Sequence, residues 1–83
     1  MLKRLNHIAI AVPNLDIAVD NYKKAFGTEV TPKQALIKHG VTTAFIKLDN
    51  TNIELLEPLG KDSPIDKFLK RNPAGSIHHL CYE

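Results

Sequence analysis

Two histidines and a glutamate carry most of the chemistry this sequence offers. At a strand's two-residue period, His7 shares a face with Ala9 and Ala11, Glu54 with Asn52 and Leu56, and His79 with Cys81. Two imidazoles and a carboxylate on three separate strands, beside small residues that leave room for a bound group, suit a divalent metal ion. Each residue taken singly has a plainer reading. A histidine at a strand start is usually a surface or hydrogen-bonded residue, and a carboxylate usually marks a wet sheet face. His39, in a loop before Gly40, and His78, of opposite parity to His79, read as non-ligands. Glu57 has the opposite parity to Glu54 and sits at its strand end. Cys81 has no identifiable partner base and reads as a small buried apolar residue rather than a nucleophile. Pro58-Leu59-Gly60-Lys61 lacks the second glycine and the spacing of a phosphate loop.

The elements that must position these side chains follow from periodicity. Ile8, Ile10 and Val12 alternate with His7, Ala9 and Ala11, which predicts a strand over His7 to Val12. Pro13-Asn14 stops it and Asn14 can cap a helix, in which Leu15, Ala18, Tyr22, Ala25 and Phe26 recur at spacings of three and four until Gly27. A β-prone run Thr28-Glu29-Val30-Thr31 ends at Pro32. Val41 to Leu48 and Asn52 to Leu56 then read as strands joined by Asp49-Asn50-Thr51. Ser63 at N-cap, Pro64 at N1 and an acidic Asp66 predict a short helix to about Arg71, with Ile65, Phe68 and Leu69 on one face and Lys67, Lys70 and Arg71 solvated. Ile77 to Glu83 is a last strand.

That last strand resembles the first. Asn6-His7-Ile8-Ala9-Ile10 and His78-His79-Leu80-Cys81-Tyr82 share the order polar, histidine, aliphatic, small, apolar, so that His7 corresponds to His79. The expected organisation is a strand-helix-three-strand module over residues 1–59, a linker helix and loop over 60–76, and the first strand of a truncated second module over 77–83. An orphan strand exposes unpaired backbone groups unless a second chain, or further sequence, supplies its neighbours, and a homodimer is expected.

Composition sets the bounds. Eighty-three residues with 43% hydrophobic and 24% charged content make one small globular domain. Such a chain buries only about 60% of its unfolded surface. A single cysteine excludes an internal disulfide, leaving a metal or a partner as the added source of stability. A net charge of +2, with basic residues scattered, excludes a nucleic-acid footprint. No apolar stretch approaches membrane-spanning length, and Met1-Leu2-Lys3-Arg4 passes directly into patterned sequence without a signal or transit peptide. The expectation is therefore a cytoplasmic protein with no membrane partner.

Four segments together carry a resemblance: Asn6 to Pro13, Asn52 to Gly60, Asp62-Ser63-Pro64-Ile65, and Gly75 to Cys81. They resemble the vicinal oxygen chelate (glyoxalase/bleomycin resistance/dioxygenase) superfamily and, within it, the methylmalonyl-CoA epimerases. The resemblance implies an α+β fold, one βαβββ glyoxalase-like module with a cupped, mostly antiparallel sheet. It also implies His7, Glu54 and His79 as ligands to a divalent metal ion, one of Co²⁺, Ni²⁺, Mn²⁺ or Zn²⁺. The family's fourth ligand, a late glutamate, has no counterpart here. Some epimerases carry a carboxylate base after a Gly-Val turn, but Gly40-Val41-Thr42-Thr43-Ala44 holds no acid, so catalytic bases and substrate-binding residues stay unassigned. The implied reaction is epimerisation of methylmalonyl-CoA by α-proton transfer through a metal-stabilised enolate, with an acyl-CoA as substrate partner. The alternatives are glyoxalase I (lactoylglutathione lyase) activity and a non-catalytic metal- or small-ligand-binding module of the same fold.

Overall fold

The period-two run at the start forms β1, Leu5–Ala11, and the cap signals after it hold in a computed structural model that describes Met1–Glu83. Asn14 is extended (φ −141°) and its Oδ1 accepts the Ile17 N–H at 3.1 Å, opening α1, Leu15–Phe26. The helix ends at Gly27, whose φ of 63° lets its N–H return to the Lys23 carbonyl at 2.9 Å. Glu57, near the end of the strand that pairs with β1, supplies a second cap. Its Oε2 accepts the Leu15 N–H at 2.7 Å, placing a carboxylate at the positive end of the helix.

The remaining elements are β2 (Gln34–Leu36), β3 (Val41–Lys47), β4 (Asn52–Pro58), α2 (Asp66–Arg71) and β5 (Ser76–Tyr82), with one 3₁₀ turn at Ile37–His39. The strands form a single open sheet in the order β2-β3-β4-β1-β5. Only β1 and β4 run parallel; the other three pairs are antiparallel. The fold is thus α+β with a mixed, mostly antiparallel sheet, as expected. No helix is long and apolar enough to cross a membrane.

The sheet has an apolar layer on each face. On one, Leu15 and Ala18 of α1 pack on Val12, Ala44, Ile46, Ile53 and Leu55. Burial of each large aliphatic side chain there contributes about 1.5–3 kcal/mol. On the other, Ala9, Ala11, Val41, Leu56 and Ile65 form a second cluster, against which Phe68 and Leu69 of α2 pack. Ala9 and Ala11 are fully buried, so the space expected beside them is largely taken by that cluster.

Two local expectations are corrected. Thr28 to Thr31 makes no strand but a single bridge, Val30 to Ile46, while Thr31 exchanges hydrogen bonds with Phe45 through its N–H and its Oγ1. Pro32 has no N–H to extend that pairing, and β2 forms only from Gln34. Ser63 does not cap α2. Its hydroxyl donates to the Gly40 carbonyl at 2.6 Å, and its oxygen lies 3.5 Å from the Ile65 N–H, so the helix begins at Asp66. Gly40 permits this approach, since a Cβ there would stand 2.9 Å from Pro64 Cδ.

Candidate metal centre

β1 is hydrogen-bonded on both sides, and Ala9 in its middle has Glu54 of β4 as register partner on one flank and His79 of β5 on the other. Partners in register present their side chains to the same face. His7, two residues before Ala9, points to that face too. The sequence-predicted residues His7, Glu54 and His79 are therefore brought together, their ligand atoms all within 4.8 Å of one another.

The spacing matches what a small cation requires. Ligand atoms about 2.1 Å from an ion stand about 3.0 Å apart at right angles and about 3.4 Å apart at the tetrahedral angle. His7 Nε2 is 3.4 Å from His79 Nε2 and 3.4 Å from Glu54 Oε1, and His79 Nε2 is 3.9 Å from the same oxygen. Two imidazole nitrogens and one carboxylate oxygen on one side leave the opposite side open for water or substrate oxygens.

Each donor is held from behind. Glu54 is buried and its Oε2 accepts the Thr43 hydroxyl at 3.0 Å, which leaves Oε1 to face the histidines. The wet face expected around Glu54 is absent. The His7 and Phe45 rings meet at right angles with a 6.2 Å centroid separation, and His7 Nδ1 lies 2.7 Å from Asn6 Oδ1. The His79 imidazole has its pKa lowered, foremost by partial desolvation and then by the His78 and His7 rings, with Glu54 opposing. A neutral imidazole is the form that binds a cation.

The reading of His78 needs correction. The β1–β5 ladder steps from Ala9–His79 to Ile10–Ile77, so β5 carries one extra residue, and alternation fails there. His78 consequently reaches the same face as His79, its Nδ1 2.9 Å from His79 Nδ1 and its ring 5.0 Å from that of Phe68. With His39, Leu36, Val41, Leu56 and Ile65 it lines a hollow of about 420 Å³ that includes Glu54 and His79. Neither His39 nor His78 joins the trio of converging donors. Cys81 is half-buried, in register with His7. Thr43 escaped the sequence reading, although its two-residue spacing from Val41 and Phe45 was a signal that it shares a face with them. Pairing of β3 with β4 then brings that face to Glu54.

Comparison with known proteins agrees with this geometry. The Glyoxalase/Bleomycin resistance protein/Dioxygenase superfamily matches residues 6–83. An ethylmalonyl-CoA/methylmalonyl-CoA epimerase of Cereibacter sphaeroides is 58% identical over the whole chain, which covers 62% of that protein. A mitochondrial methylmalonyl-CoA epimerase of Dictyostelium discoideum is 55% identical over 96% of the chain. Of that relative's length the chain spans about half, 48%. Among solved structures, a Streptomyces coelicolor methylmalonyl-CoA epimerase in complex with 2-nitronate-propionyl-CoA superposes with a TM-score of 0.88 at 33% identity, covering 99% of this chain and 60% of that one.

Proposed function

Because the chain belongs to the Glyoxalase/Bleomycin resistance protein/Dioxygenase superfamily, we propose that it serves a metal-dependent epimerisation of methylmalonyl-CoA, with His7, Glu54 and His79 as metal ligands. The convergence of these three donors, in a chain 55–58% identical to two such epimerases, carries the reading. Co²⁺, Ni²⁺, Mn²⁺ and Zn²⁺ all accept this nitrogen and oxygen set.

A thioester α-proton is too weakly acidic for an unaided carboxylate to remove. When bound, a divalent cation supplies Lewis acidity toward the substrate's oxygens, which makes that proton labile. The chain's own residues prepare the place. Thr43 fixes the Glu54 carboxylate, and the strand ladders fix the spacing of the three side chains. Leu36, Val41, Leu56 and Ile65 give the adjoining hollow an apolar wall, which excludes water and suits an acyl group. Inversion requires return of the proton to the opposite face of the planar intermediate, and hence a proton-carrying group on each side.

An acyl-CoA substrate is favoured over a glutathione adduct by the ligand in the Streptomyces coelicolor complex. A homodimer in the cytoplasm completes the proposal. It is supported by the open outer edge of β5, by exposed Ile77, Leu80 and Tyr82 on that strand, and by a single free thiol suited to a reducing compartment.

The test is α-proton exchange of methylmalonyl-CoA in D₂O, followed by NMR with Co²⁺ present, for the protein and its His7→Ala variant. Exchange that the variant loses is expected. A folded, cobalt-loaded protein that exchanges no α-proton would overturn the epimerase reading.

A further inference from the structure

Both candidate ligand histidines follow a residue that the β1–β5 ladder skips. The register passes from Leu5–Tyr82 to His7–Cys81, leaving Asn6 extra on β1, and from Ala9–His79 to Ile10–Ile77, leaving His78 extra on β5. Each extra residue turns its side chain onto the Nδ1 of the histidine after it. Asn6 Oδ1 lies 2.7 Å from His7 Nδ1, and His78 Nδ1 lies 2.9 Å from His79 Nδ1. The two Nε2 atoms then face each other at 3.4 Å over Glu54.

Hydrogen-bond accounting fixes the His7 arm. The Glu83 carboxylate only accepts, and Asn6 Nδ2 donates to its Oε2 at 2.7 Å. That bond sets the direction of the Asn6 amide, so the carbonyl oxygen must be the atom that meets His7. His7 Nδ1 therefore carries the hydrogen, and in the neutral ring the lone pair is left on Nε2, aimed at the trio. The Arg4 guanidinium, 3.4 Å from the other Glu83 oxygen, holds the far end of the relay. For His79 to offer Nε2 in the same way, its hydrogen must sit on Nδ1, where His78 Nδ1 is placed to accept it. Two bare lone pairs at 3.4 Å repel unless a cation or a proton stands between them.

We propose that Asn6 and His78 are positioning residues, each holding the Nδ1 of the histidine that follows it and so presenting that histidine's Nε2 to a cation shared with Glu54. The inference rests on the metal reading above and adds residues that the trio itself does not include. The extra residue in each strand is what allows the arrangement: at regular alternation the preceding side chain would point to the other face.

Two readouts test it in the intact protein. Co²⁺ affinity, read from the visible absorption of the bound ion, is expected to fall about 10–100-fold in Asn6→Ala and in His78→Leu. It should stay close to the parent value in His78→Asn, which copies the residue preceding His7. Separately, ¹⁵N NMR of metal-free protein at about pH 8, above the usual imidazole range, should show His7 protonated at Nδ1 in the parent and shifted toward Nε2 in Asn6→Ala. Unchanged affinity in both loss variants, or a His7 tautomer indifferent to Asn6, overturns the proposal. A parent that takes up no Co²⁺ overturns the metal reading instead, and the tautomer then decides the role of Asn6 alone.

Discussion

His7 Nε2 and His79 Nε2 lie 3.4 Å apart although 72 residues separate them in the chain. His7 Nε2 meets the buried Glu54 carboxylate at 3.4 Å and its ring packs on Phe45, whereas the His79 side chain is more exposed, so truncation of His79 removes a donor with little packing and truncation of His7 removes both. His7→Ala and His79→Ala should each lower Co²⁺ affinity by more than the roughly 10–100-fold typical of losing an outer partner, while a thermal melt without metal stays near that of the parent for His79→Ala and falls for His7→Ala, which also loses its packing on Phe45. Calorimetric titration checks the first, circular dichroism the second. Full-strength cobalt binding in either variant would remove that histidine from the site.

Thr43 is nearly fully buried, and its hydroxyl donates to the Glu54 carboxylate. Thr43→Val keeps the shape and deletes the donor, leaving a buried carboxylate oxygen without its partner at a cost of about 1–3 kcal/mol. Urea denaturation should show that loss, and cobalt affinity should drop because Glu54 Oε1 is no longer aimed. A variant as stable as the parent would mean that Glu54 finds solvent in place of the hydroxyl.

The lowered His79 pKa has a definite sign in stability. Below its ordinary value of 6.5, the unfolded chain takes up a proton that the folded chain resists, so more protons are bound in the unfolded state. Stability is complete above that pH and falls as pH drops through the window between 6.5 and the depressed folded value. Urea midpoints measured across that window in metal-free protein should fall more steeply for the parent than for His79→Asn. Parallel slopes would show that His79 does not carry the effect.

Gly75 sits at φ 90°, and a Cβ there would stand 2.6 Å from the Ala11 carbonyl oxygen. Its own N–H reaches the Asn72 carbonyl at 2.8 Å, which closes the turn leading into β5. Gly75→Ala should cost about 1–3 kcal/mol from the backbone conformation, with the close contact added. The damage should appear first in amide exchange of Ser76–Tyr82 and in metal affinity, since β5 carries His79. Protection of β5 equal to the parent's would show that the turn relaxes around the methyl group.

Much of this was legible from the chain. Alternation placed His7, Ala9 and Ala11 on one face, Asn14 and Gly27 bounded α1, and parity put Glu54 opposite the helix. What escaped depended on register. His78 was misplaced because alternation assumes a regular ladder, and an extra residue in β5 is visible only in its pairing with β1. Glu57 caps a helix that begins 42 residues earlier, a contact no local pattern encodes. β2 was missed because three residues, two of them exposed, carry too short a pattern to read as alternation.

The parallel pairing of β1 with β4 bears on folding kinetics. Closing β1 onto β4 spans the helix and the β2–β3–β4 meander, whereas β3 and β4 are joined by a short hairpin. Loop-closure entropy disfavours the longer closure until the local contacts are made, so the hairpin and α1 precede the docking of β1, and β5 can add only to a β1 already in place. His79 thus joins the other two donors in the last step of this order. An ion that needs all three should leave the refolding rate unchanged and slow unfolding, acting as a latch on the finished fold rather than as a template for it.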